Sequence, residues 1–189
     1  MRSRAIASDQ PIDPPTRREY EQAAVAWKRY LALRPTRPDA GLADGMARAF
    51  GSDALDRPDD VTTAYEVALR AKARAAASGG PAVTGLEWSD LYEMQVGSTR
   101  SSRVLATTAR MAIAATPAAD RGLIRARMRA ARRPDDPRAQ AALRREMRRR
   151  ATAGARRARE EERRDAGNRS QADADRGPGA TITLPDDRP

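Results

Sequence analysis

The chain has 189 residues and a mass of 20.6 kDa, room for one modest domain or for a short array with tails. It contains no cysteine and no histidine, which excludes disulfides, thiolate and imidazole metal sites, iron–sulfur clusters and catalysis through a histidine base. The formal charge is +10, and the apolar 40% includes only 4% aromatics and is largely alanine, so the expected core is thin and helical.

Residues 1–15 contain Pro11, Pro14 and Pro15 among polar neighbours and read as a flexible lead. The start lacks the apolar middle segment of a secretion signal, and no apolar run approaches about 18 residues. A cytoplasmic location without membrane insertion is therefore expected. Thr16 and Glu19 match a capping box and open a helix to about Arg34, with Tyr20, Ala23, Ala24, Trp27, Tyr30 and Leu31 on one stripe. Pro35 and Pro38 break the chain before a second helix from about Asp39, which uses Leu42, Met46, Ala49 and Phe50. A third helix is predicted over 59–77, with Val61, Ala64, Tyr65, Ala68 and Leu69 on its apolar face.

Ser78-Gly79-Gly80-Pro81 is a clear break, and lacks the Gly-Lys-Ser or Gly-Lys-Thr that would make it a phosphate loop. Leu86, Trp88, Leu91, Tyr92 and Met94 mark a short helix ending near Gly97. Ser101 or Ser102 caps the next, whose stripe is Leu105, Ala109, Ala112 and Ile113, and Pro117 ends it. Asp120 opens a further helix with Leu123, Ile124, Ala126 and Met128. Residues 138–165 favour helix but offer only Leu143 and Met147 as an apolar pair, which suggests a projecting basic helix. Residues 166–189, rich in Asp, Gly and Pro, read as a disordered tail.

The segment Ala23-Ala-Val-Ala-Trp27-Lys-Arg-Tyr30-Leu-Ala-Leu-Arg-Pro35 resembles the second helix and closing turn of a tetratricopeptide repeat. Ala23 stands at the small position, Trp27 at the aromatic and Pro35 at the closing proline. Tyr30 stands where another small residue is usual, and a side chain of that size is expected to open the helix crossing. Two echoes repeat the offsets, Val61, Tyr65, Ala68 and Ala73 without the proline, then Leu105, Ala109, Ala112 and Pro117 without the aromatic. Their closing positions lie 38 and 44 residues apart against a regular 34, so any array carries altered loops. Over roughly residues 17–132 the order of motifs is similar to that of alanine-rich bacterial tetratricopeptide proteins. That resemblance implies an all-α repeat domain over 16–132, or an irregular bundle, that binds a protein partner by a concave face without chemistry of its own.

Trp27, Tyr30 and Tyr65 are expected in inter-helix packing rather than in a ligand cage. Trp88 and Tyr92 lie one turn apart and carry two readings, core packing or a partner surface. No catalytic group, metal site or cofactor is expected. An enzyme would require carboxylates such as Asp39, Asp44 and Glu66 to meet in one enclosed pocket.

Charge is unevenly placed. Residues 125–169 carry 17 basic and 7 acidic groups, a net +10, while residues 1–124 carry 17 and 15. The clusters Arg144-Arg145, Arg148-Arg149-Arg150 and Arg156-Arg157 make this arm a candidate for a nucleic acid or another polyanion. The sequence thus supports a non-catalytic scaffold of the tetratricopeptide kind, with nucleic-acid association through the basic arm as its alternative.

Overall fold

The computed structural model describes residues 12–98 and 100–175, with side chains through residue 167. It is all-α: α1 (Pro14–Ala32), α2 (Ala40–Ala49), α3 (Pro58–Ala76), α4 (Gly85–Gly97), α5 (Ser102–Ala114), a single 3-10 turn (Ala118–Asp120), α6 (Arg121–Arg132) and α7 (Pro137–Asp175), with no strand among the described residues. Described residues up to Leu143 form one compact unit, and those from Arg144 a second.

Capping sets most of the starts. Asp13, not Thr16, caps α1: its carboxylate accepts the Thr16 amide at 2.9 Å and the Thr16 hydroxyl at 2.8 Å. Those two bonds, the amide first, hold the Asp13 carboxyl below its usual range. The expected Thr16–Glu19 capping box is therefore corrected. Pro14 and Pro15 belong to the first turn rather than to the lead, because a helix start has no use for their missing N–H groups. Asp39 caps α2 through the Leu42 amide, and Ser101 caps α5. Among the described residues a capping box forms at α4, where Thr84 accepts the Glu87 amide and the Glu87 carboxylate accepts the Thr84 amide at 2.8 Å. Arg34, with φ 47°, turns the chain out of α1 just before Pro35.

The first unit has two apolar clusters. One joins α1, α2 and the front of α3, with Trp27, Met46, Phe50, Leu55, Ala64 and Ala68 at its centre. The other joins the rear of α3 to α4, α5 and α6 through Leu69, Trp88, Leu91, Tyr92, Ala112, Ile124 and Met128. Each helix from α1 to α6 packs on its neighbour in sequence, most extensively α2 on α3 and α4 on α5, and α4 also packs on α6. Small residues permit the closest approach. A Cβ on Gly85 would lie 2.6 Å from the Ala112 carbonyl oxygen and 2.9 Å from Thr116 Cβ. α4 can start there only on a residue without a side chain.

α6 and the first turns of α7 belong to this unit. Ile124, Met128 and Ala139 are buried, while Arg125, Arg129 and Arg132 face solvent. Asp136 opens α7 by accepting the Arg138 amide at 2.8 Å. The helix then continues to Asp175, so residues 166–175 are helical and not part of a disordered tail. No proline interrupts the run from Arg138 to Arg176, and alanine recurs through it, which removes the usual reason to stop. The remainder of the expected tail, and most of the expected lead, lie outside the described residues.

Candidate functional site

The most elaborate polar surface of the first unit surrounds Tyr65. Arg127, from α6, closes a two-bond hydrogen-bonded ion pair with Glu93 of α4 and a 2.6 Å ion pair with Asp90 one turn earlier. Burial alone would lower the Arg127 pKa, but the Glu93 hydrogen bond and the charges of Asp90 and Glu93 outweigh it and move it upward. On α2, Asp44 pairs with Lys72 of α3 at 2.8 Å. Desolvation, followed by the negative charges of Asp90, Glu87 and Asp44, pushes the Tyr65 phenol from 10.0 up to about 12, with Arg127 opposing. Four helices, α2, α3, α4 and α6, therefore contribute charged or polar groups to one neighbourhood. Exposed Leu86 lies one turn before Asp90 on α4.

A second polar system is buried between α3, α4 and α5. Gln95, fully enclosed, donates to Glu66 at 3.2 Å and accepts from the Thr108 hydroxyl at 2.8 Å. Thr62 bonds Ser98 at 2.9 Å, and Arg100 reaches Thr63 at 2.9 Å. Beside it opens a cavity of about 160 Å³ lined by Glu66, Arg70, Trp88, Arg103 and Thr107 among others. Asp39, Asp44 and Glu66 do not meet: Asp39 caps α2, Asp44 holds Lys72, and Glu66 holds Arg70 and Gln95.

The residues expected to pack as repeats divide between the two clusters. Ala23, Trp27 and Tyr30 serve the first with Ala68, and Tyr65, Ala109 and Ala112 the second. Pro35 is half-buried in its turn. Pro117 is exposed and starts the 3-10 turn after α5. Trp88 and Tyr92 are 3% and 4% exposed, so the partner-surface reading of this pair is corrected to core. Both lie on the face of α4 turned toward the second cluster. Sequence reasoning passed over Thr84-Gly-Leu-Glu87, a legible capping box, and Arg127, whose acidic partners stand 34 and 37 positions earlier in another helix.

Arg144, Arg145, Arg148, Arg149, Arg150, Arg156 and Arg157 are all exposed on α7. They do not form one stripe. At 3.6 residues per turn, Arg145, Arg148, Arg149 and Arg156 share a face, whereas Arg150 and Arg157 fall on the other side of the helix, because a run of consecutive arginines spreads around the axis. Among the described residues no helix is long and apolar enough to cross a membrane, and no group of three acidic side chains is placed to hold a metal ion. No family model, no curated protein and no solved structure matches the chain.

Proposed function

We propose that the first unit is a helical-repeat scaffold of the tetratricopeptide kind, which binds a protein partner on the face formed by Leu86, Asp90, Glu93 and the groups around Tyr65. The carrying observation is the packing order, in which α2 pairs with α3, α4 with α5, and α4 also meets α6. In stacked helix pairs the first helix of one pair lies on the first helix of the next, as α4 does on α6, whereas the α2–α3 pair meets α4 chiefly through α3. The sequence at α4 adds support. Trp88-Ser-Asp-Leu91 has the Trp-x-x-Leu spacing of a first repeat helix, and both residues are buried. Tyr92 replaces the glycine that would follow, and the close approach is supplied instead by Gly85, further up the helix. The reading assigns the chain no catalytic step.

The test is a cross-linking comparison of the full chain, a Leu86→Glu variant and a chain ending at Leu143, all folded as judged by helicity. A cut before α6 is unsuitable, since Ile124 and Met128 belong to the core. Partner capture should survive removal of residues 144–189 and fail in the Leu86→Glu variant. Capture that ignores Leu86→Glu and is lost on truncation would refute the assignment.

A further inference from the structure

We propose that one face of α7 is a docking surface for the phosphate backbone of duplex nucleic acid, a role separate from the scaffold reading of the first unit. Arg145, Arg149, Arg156, Arg159 and Arg163, with Arg148 beside them, occupy an arc of roughly 100° on the helix. The spacing runs four, three, four, three, four through positions 145, 149, 152, 156, 159 and 163, and only Thr152 interrupts the arginines. All six arginines are exposed, and among the described residues none of them closes an ion pair. Glu146, Glu160, Glu161, Glu162 and Asp165 fall outside the arc. Glu160 borders the arc, one turn from Arg156 and Arg163, and the opposite side is mixed, with Arg150, Arg157 and Arg164 interleaved with Glu146 and Glu161.

Charge segregated in this way on a long helix suits a linear polyanion. From Arg145 to Arg163 the row spans about 27 Å, the length of about eight base pairs. Guanidinium groups bind phosphate oxygens in a two-pronged geometry that lysine does not offer. The chain uses lysine only at Lys28 and Lys72, both outside α7. A duplex is favoured over a single strand because no aromatic residue follows Tyr92, so the helix has nothing on which to stack an unpaired base. A membrane surface is disfavoured because Met147 is the one large apolar side chain exposed among the described residues of α7. The face offers phosphate contacts without base readout, so binding is indifferent to sequence.

The experiment measures binding of the full chain to a labelled 20-base-pair duplex of mixed sequence, as DNA and as RNA, from about 50 to 200 mM salt. Two triple variants remove the same charge, R149Q/R156Q/R163Q from the proposed face and R150Q/R157Q/R164Q from the other. Six contacts predict a slope of log K against log salt of about −5 for the parent chain. The first variant should lose about half that slope and at least about tenfold in affinity at the lowest salt, while the second stays within about threefold. Glutamine keeps helix propensity, and helicity is checked on each chain; R149K/R156K/R163K, which keeps the charge, should hold the parent slope. Binding of either duplex with this pattern supports the proposal. It is overturned by equal losses in the two glutamine variants, by absence of binding at about 50 mM salt, by tighter binding of a single strand, or by displacement of the duplex by polyglutamate of equal charge.

Discussion

The hydroxyl of Tyr30 accepts the backbone amide of Asp39 at 2.8 Å, so a residue of α1 holds the cap of α2. The ring meanwhile stacks on Trp27, with centroids 5.4 Å apart and planes inclined by 22°. A tyrosine where a repeat would carry a small residue therefore does more than fill space. It occupies the turn, and its polar end supplies a partner to an amide that the Pro38-Asp39 connection leaves outside the helix ladder.

Tyr30→Phe keeps the ring and removes that partner. Urea denaturation should register a loss of about 0.5–1.5 kcal/mol. Tyr30→Ala also loses the stack and should cost more, by a further amount of about 0.5–1.5 kcal/mol. Equal stability of Tyr30→Phe and the parent chain would show that water serves Asp39 equally well.

Gly85→Ala tests the closest helix approach. The Ala112 carbonyl lies 2.6 Å from the position of the new Cβ and belongs to backbone, which cannot rotate away. Thr116, 5% exposed and bonded through its hydroxyl to the same carbonyl at 2.6 Å, crowds the other side. Overpacking of this kind costs typically about 1–3 kcal/mol, measured as a shift in denaturation midpoint. Adding Thr116→Ala should recover only part of it, because the carbonyl remains. Complete recovery would place the whole clash on the threonine.

Helix existence was legible from the sequence because proline, glycine and serine punctuate it at Pro35, Gly79-Gly80 and Ser101, and because apolar residues recur at three and four between those points. Boundaries were less so. Asp13 outcompetes Thr16 as a cap since both precede a run of helix formers, and only the backbone conformation at Asp13 decides between them. The roles of Trp88 and Tyr92 could not be read locally. An aromatic pair one turn apart marks a face, but whether that face meets α5 and α6 or solvent depends on residues 20 to 40 positions away, such as Ala112 and Met128. The Tyr65 surface was invisible for the same reason: Asp44, Asp90 and Arg127 look like solvated charges until three helices bring them together. Around α7 the reverse holds, since the angular separation of Arg149 from Arg150 follows from helix period alone.

Gln95 and Thr108 form a pair whose removal should be strongly non-additive. Thr108→Val leaves the enclosed Gln95 carbonyl without its 2.8 Å donor, a loss of about 1–3 kcal/mol. Gln95→Leu deprives Thr108 and Glu66 of a partner together. The double variant replaces both polar groups by apolar ones and should be more stable than the sum of single losses predicts, by about 0.5–3 kcal/mol in a double-mutant cycle. Strict additivity would mean that the bond contributes nothing beyond packing.

Tyr65 ties the stability of the first unit to alkaline pH. Its phenol pKa is raised from 10.0 to about 12 by burial and then by Asp90, Glu87 and Asp44. The native state therefore holds this proton more tightly than the unfolded chain does. The resulting stabilisation is fully present below about pH 10, the unfolded value, and is lost as pH rises toward about 12. Solvent reaches part of the ring, so screening reduces the effect below what the shift alone would give. Tyr65→Phe removes the titrating group, and its stability should fall less steeply than that of the parent between pH 10 and 12. Arg127 opposes the rise, so Arg127→Met should move the phenol higher still and delay its ionisation in an absorbance titration of the native chain. Parallel stability curves for the parent and Tyr65→Phe across that window would show that neither burial nor the carboxylates of α2 and α4 raise the Tyr65 phenol in solution.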